Sequence, residues 1–104
     1  MIISAATVLI DQELQKEVWL EIEDGVIRSI NSGTSPEYDL RYDGILIPGF
    51  VDIHCHGGGG KYFGSLTDSE IAQVISTHRA GGTVAGLASL VTEPIENLIS
   101  QIKR

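Results

Sequence analysis

The sequence predicts an α/β fold in which a small antiparallel sheet, residues 1–47, precedes two strand-helix units of a parallel sheet, residues 48–104. Three observations predict it. Short β-rich segments of alternating polarity fill the first part. Two strands that are apolar on both faces, each followed by an amphipathic helix, fill the second. The texture changes at Pro48-Gly49, a pair that interrupts regular structure. Alternating strands and helices build parallel sheets, because a parallel pair needs a long crossover and a helix supplies it.

The first part begins with the β-rich run IISAATVL, residues 2–9. EVWLEIE, residues 17–23, alternates, with Val18, Leu20 and Ile22 on one side and Trp19, Glu21 and Glu23 on the other. Asp24-Gly25 forms a hairpin turn, and VIRSI, residues 26–30, is the returning strand. Residues 31–43, NSGTSPEYDLRYD, are polar and rich in turn formers and read as a surface connection.

The second part opens with ILIPGFVDIHCH, residues 45–56, read as one strand buried between layers. Thr67-Asp68-Ser69-Glu70 fits a capping box, flanked by Leu66 and Ile71 as a hydrophobic staple. Ile71, Val74, Ile75 and His78 follow at helical spacing, and Gly81-Gly82 ends the helix. TVAGLASLV, residues 83–91, is a second strand apolar on both faces. Thr92 opens a second helix with Ile95, Leu98, Ile99 and Ile102 as its apolar stripe. Each aliphatic side chain left in water on such strands forgoes about 1.5–3 kcal/mol. The chain is therefore expected to cover these faces by association, as a homo-oligomer or by pairing with a missing remainder, and reads as incomplete.

Composition excludes several classes of function. The chain is 42% hydrophobic and 20% charged, with a net charge of −7 and no cluster of Lys or Arg. An acidic surface repels phosphodiester backbones, so no nucleic acid is expected as partner. No apolar run approaches the roughly 18–20 residues that span a bilayer, and the N-terminus has no basic, apolar leader, so no membrane is expected either. The single cysteine, Cys55, fits a reducing compartment. Cytoplasmic location is the expectation.

The chemistry concentrates in GFVDIHCHGGGG, residues 49–60. On a strand His54 and His56 face one side and Cys55 the other. Two residues span about 6.6 Å along a strand, so the imidazoles can lean together over one ion. The pair ends a strand and precedes a loop, where parallel α/β folds keep their chemistry. Metal ligation by His54 and His56 is expected, most simply of zinc, although iron or another divalent ion would use the same nitrogens. Asp52, one step deeper, is expected on the histidine face, either ordering the imidazoles through a hydrogen bond or as a structural carboxylate. Cys55 is read as a small buried side chain aimed at the helices. His78 is read as a packed histidine bonded to a carbonyl.

The four glycines are not a nucleotide loop: Tyr62 follows Lys61 where a Walker motif needs Ser or Thr. Gly57 and Gly58 either let backbone N–H groups approach a substrate or belong to a merely flexible connection.

LIPGFVDIHCHGGGG together with THRAGGTVAGLASLVTEP resembles the N-terminal part of the amidohydrolase superfamily, with the glycine string and the second run pointing to its amino-sugar-phosphate deacetylase branch. Val84 departs from the threonine often found there. The resemblance implies a metal-dependent hydrolase barrel of eight β/α units, (β/α)₈, preceded by a small antiparallel β-sandwich segment. This chain would supply residues 1–47 of the sandwich and, in residues 48–104, the first two barrel units. It implies that His54 and His56 are metal ligands on the first barrel strand and that the substrate is a small amino-sugar phosphate. The remaining ligands and the proton-shuttling aspartate would come from later strands, so the 104-residue chain alone is expected to be inactive. A dihydroorotase- or hydantoinase-like amidohydrolase is the alternative enzyme, and an oligomerising α/β module the non-enzymatic one.

Overall fold

The computed structural model describes residues 1–65 and 67–103. The chain forms two compact units, Met1–Pro48 and Gly49–Arg104. The expected staple partner Leu66 lies outside the described residues.

The first unit is one four-stranded sheet built from β1 (Ile2–Ile10), β2 (Glu13–Glu23), β3 (Val26–Ser32) and β4 (Leu40–Leu46), in the order β3-β2-β1-β4. β1, β2 and β3 pair antiparallel, and the Asp24-Gly25 turn has both residues at positive φ (52° and 75°), as the tight hairpin turn requires. Val18 and Leu20 are buried, as the alternation predicts.

Two features depart from the expectation. β4 runs parallel to β1, so the sheet is mixed rather than antiparallel, and among the described residues it is a single layer rather than a sandwich. The segment expected to be a surface connection carries the chain from one sheet edge to the other. There Asp39 is fastened to β1: its N–H donates to the Ile2 carbonyl at 2.9 Å, and its carboxylate accepts the Ile2 N–H at 2.6 Å. β2 also begins four residues earlier than EVWLEIE suggests, after an Asp11-Gln12 turn that takes positive φ without glycine (48° and 69°).

Ala5, Val8 and Val18 form the centre of this unit, with Ile10 and Leu46 packed against them. Two hydroxyls are buried beside this cluster, and each has a partner, which avoids the penalty of an unpaired buried polar group. The Arg41 guanidinium reaches Ser4 Oγ at 3.2 Å, and Lys16 Nζ donates to Thr7 Oγ1 at 3.1 Å.

The second unit contains β5 (Phe50–Cys55), a two-residue hairpin of β6 (Gly57–Gly58) and β7 (Lys61–Tyr62), a 3₁₀ turn (Phe63–Ser65), α1 (Asp68–Ala80), β8 (Thr83–Ala88) and α2 (Ile95–Ile102). β5 and β8 pair in parallel with α1 as the crossover. The run expected as a single strand from Ile45 is divided: residues up to Leu46 belong to the first sheet, and β5 starts afresh after Pro48-Gly49. The second helix opens at Ile95 behind Pro94, not at Thr92. The Pro94 carbonyl accepts the N–H groups of Asn97 and Leu98.

The two strands were expected to be buried on both faces. Their apolar side chains are largely exposed instead, with Ile53 at 73% and Val84 at 72%. Two strands and two short helices offer too little surface to cover both faces. Within this unit the buried apolar residues among those described are Cys55 and Val74.

The start of α1 is tied to the hairpin. The Glu70 carboxylate accepts the Thr67 N–H and hydroxyl, each at 2.9 Å, and pairs with Lys61 Nζ at 2.8 Å. The Lys61 ammonium first, and then the two Thr67 donors, hold the Glu70 carboxyl down at about 2. A carboxylate whose folded pKa is depressed stabilises the fold fully above its ordinary value near 4.5 and loses that contribution as pH falls toward 2. Helicity followed by circular dichroism is therefore expected to fall between these pH values in the native chain. A Glu70→Gln variant, which cannot titrate there, should show a smaller acid-dependent loss.

Candidate metal centre

The site grows from the end of β5. The His56 backbone is held by the hairpin, because the Phe63 N–H donates to the His56 carbonyl at 2.9 Å. Its ring is held by the residue that follows β8: Nδ1 lies 3.0 Å from the Ser89 carbonyl oxygen. That oxygen only accepts, so Nδ1 carries the proton and Nε2 keeps a free lone pair. Ser89 is itself positioned by its N–H, which donates to the Cys55 carbonyl at 2.7 Å. The same logic orients metal-binding histidines generally, where a carbonyl behind the ring aims the other nitrogen.

His54 stands across from it. The two Nε2 atoms are 3.0 Å apart, with ring centroids at 4.9 Å and planes at 64°. Nitrogens this close can share an ion at the usual Zn–N length of about 2.0–2.1 Å. Both imidazoles are exposed in this chain, so the feature that suits a cation is the convergence of two nitrogens, not relief of a burial penalty. Among the described residues, no third His, Cys, Asp or Glu joins this pair within 4.8 Å.

Asp52 does not follow the face expected for it. Its Oδ1 accepts the His54 backbone N–H at 3.0 Å. Its carboxylate otherwise lies with Cys55 and His78, whose ligand atoms are all within 4.8 Å of one another. The reason is a register shift between Asp52 and Cys55: one extra residue in β5 lets side chains three apart share a side. Cys55 is buried toward α1, with Sγ 3.2 Å from His78 Nε2, and His78 Nε2 is 2.9 Å from the Gly57 carbonyl.

The glycine string is an ordered hairpin. Gly57 and Gly58 pair with Tyr62 and Lys61, and Gly59-Gly60 form the turn with φ of 60° and 77°. A Cβ on Gly57 would collide with the Lys61 carbonyl oxygen, so the two backbones meet because no side chain intervenes. Tyr62 then reaches across to accept the Val91 N–H at 2.8 Å. Neither the Ser89 carbonyl nor the Tyr62 hydroxyl was assigned a place in the site from sequence. A backbone carbonyl has no residue-type signal, and Tyr62 offered only its position after the glycines.

No family model matches the chain. The relatives it does match are hydrolases, and they match it along nearly its whole length. More narrowly, they are amino-sugar-phosphate deacetylases. The chain is 33% identical to the N-acetylgalactosamine-6-phosphate deacetylase of Shewanella sp. (strain ANA-3), over 92% of this chain and 26% of that protein. It is 27% identical to the N-acetylglucosamine-6-phosphate deacetylase of Bacillus subtilis (strain 168), over 94% and 26%. The crystal structure of N-acetyl-D-glucosamine-6-phosphate deacetylase from Mycobacterium smegmatis superposes with a TM-score of 0.89 at 40% identity, covering 98% of this chain and 30% of that one. A substituted form of that enzyme in complex with N-acetyl-D-glucosamine-6-phosphate gives the same score and identity over 98% and 27%. The chain thus spans about a quarter of the length of the curated relatives it matches.

Proposed function

We propose that this chain is the N-terminal portion of a metal-dependent amidohydrolase that removes the acetyl group from an N-acetylamino-sugar 6-phosphate, most simply N-acetylglucosamine 6-phosphate. Its products would be acetate and glucosamine 6-phosphate. The observation that carries the reading is the 3.0 Å approach of the His54 and His56 Nε2 atoms, with the His56 tautomer set by the Ser89 carbonyl. These two nitrogens would hold a divalent cation, zinc in the simplest case. When bound, such an ion supplies a water acidified toward a pKa of about 7 and polarises an amide carbonyl.

The chain's own residues prepare that site. Ser89 aims His56, and Asp52 secures the backbone of His54. Gly57 and Gly58 follow His56 directly and would offer main-chain groups to a substrate, while their α-carbons pack against the Lys61 carbonyl and the His78 ring. The two units belong to the front of a (β/α)₈ barrel with its flanking sheet, residues 1–47 and 48–104. The exposed apolar side chains of β5 and β8 favour cover by further barrel elements or by a second copy. No helix of the described residues is long and apolar enough to cross a membrane, and the working location proposed is the cytoplasm.

Two histidines with no third ligand among the described residues make an incomplete catalytic centre, so the 104-residue chain alone is expected to release no acetate. A longer protein beginning with this segment, loaded with zinc, is expected to release acetate from N-acetylglucosamine 6-phosphate. Because one curated relative is named for the galactosamine epimer, N-acetylgalactosamine 6-phosphate is assayed alongside, and the higher kcat/KM assigns the sugar. Release from neither sugar would remove the deacetylase reading, and release by the short chain would remove its predicted inactivity.

A further inference from the structure

On the α1 side of β5, away from the histidine pair, lies a second group of metal-ligating side chains. We infer that Asp52, Cys55 and His78 form a separate cation site of carboxylate, thiolate and imidazole chemistry, suited to zinc. The three ligand atoms lie within 4.8 Å of one another, and Sγ and Nε2 are only 3.2 Å apart. The Gly57 carbonyl oxygen borders the same space, 2.9 Å from Nε2 and 3.4 Å from Sγ. A tetrahedral zinc with Zn–N near 2.0 Å and Zn–S near 2.3 Å needs ligand–ligand edges of roughly 3.3–3.6 Å. The Cys55–His78 spacing comes within a few tenths of an ångström of that, and the Asp52 carboxylate, within 4.8 Å of both, closes on the same point by side-chain rotation.

The donor set is chemically coherent. One thiolate and one carboxylate balance the charge of a divalent ion, which suits a position where Cys55 is buried and its partners are half-buried. Sulfur and imidazole together favour zinc over magnesium or calcium. Without an ion, Nε2 faces the Gly57 carbonyl, which only accepts and so keeps the proton on Nε2; taking the ion moves that proton to Nδ1 and replaces the Gly57 contact with the Nε2–metal bond. Access exists: a groove of about 1100 Å³ between the β5–β8 pair and α1 is lined by Asp52, Cys55 and His78 together with Ile71, Ile75 and Leu87. The placement arises from two accidents of local geometry acting together. The extra residue in β5 brings Asp52 to the Cys55 side, and the α1 stripe brings His78 over the same strand end.

The test uses cobalt(II) as a spectroscopic substitute for zinc. Cys55 is the chain's single cysteine, so a near-ultraviolet thiolate-to-cobalt charge-transfer band can arise from it alone. The band is expected in the native chain and in the His54→Ala, His56→Ala double variant, and is expected to vanish in Cys55→Ser. Asp52→Asn and His78→Gln should each weaken cobalt affinity roughly tenfold or more. If His78→Gln also lowers helicity, the Asp52→Asn titration decides, since it leaves the His78–Gly57 contact in place. No band in the folded native chain, or unchanged affinity in Asp52→Asn, overturns the site. Because the double histidine variant is scored separately, failure here leaves the reading of the histidine pair untouched.

Discussion

The His54→Ala, His56→Ala double variant is expected to bind zinc at the strand-end site more than about 100-fold more weakly than the native chain. Loss of an outer partner alone typically costs 10–100-fold in metal affinity, and here both ligating nitrogens go. The effect should be cooperative in its origin. The two Nε2 atoms meet at 3.0 Å because the Ser89 carbonyl aims one ring, and removing either imidazole leaves a single exposed nitrogen with no chelating partner. Calorimetric titration with zinc, supported by the metal retained after dialysis, measures it. With the cysteine-centred site intact, the variant should lose one class of binding and keep the other. Equal zinc uptake by native and double-variant chains would take metal ligation by this pair out of the account.

Val18→Asp is expected to unfold the first unit. Val18 is 1% exposed and packs with Ala5 and Val8 at the centre of the four-stranded sheet. A carboxylate there would lose its hydration, and an uncompensated buried charge costs about 3–5 kcal/mol. That is a large share of the roughly 5–15 kcal/mol that holds a whole domain. Val18→Ala, which only removes two methyl groups, should cost about 1–3 kcal/mol by loss of burial and a small void. Trp19, next in sequence and the only tryptophan in the chain, reports the unit directly. Its fluorescence in a urea titration should show a lowered midpoint for Val18→Ala and no cooperative transition for Val18→Asp. A native-like midpoint in Val18→Asp would mean that this position is not the centre of the sheet.

Where local chemistry decides the outcome, the order of residues was sufficient. Asp24-Gly25 turns the hairpin because glycine accepts the φ that turn needs. Glu70 caps α1 because it follows Thr67 by three, and Cys55 turns away from His54 and His56 by simple alternation.

Other features depended on partners distant in the chain. β4 joins β1 in parallel because Ile3 and Leu40 meet across the sheet, a pairing that no local periodicity announces. Asp11-Gln12 turns without glycine because the β1–β2 ladder holds both sides of it. Asp52 crosses to the cysteine side because between Asp52 and Cys55 β5 carries one more residue than the Gly86–Ala88 stretch of β8 opposite it, a count visible only once the strands are paired. A sequence specifies torsional preference and polarity residue by residue. Register, and hence which donors converge on one point, is set by the free energy of whole ladders, and it emerges only when the strands meet.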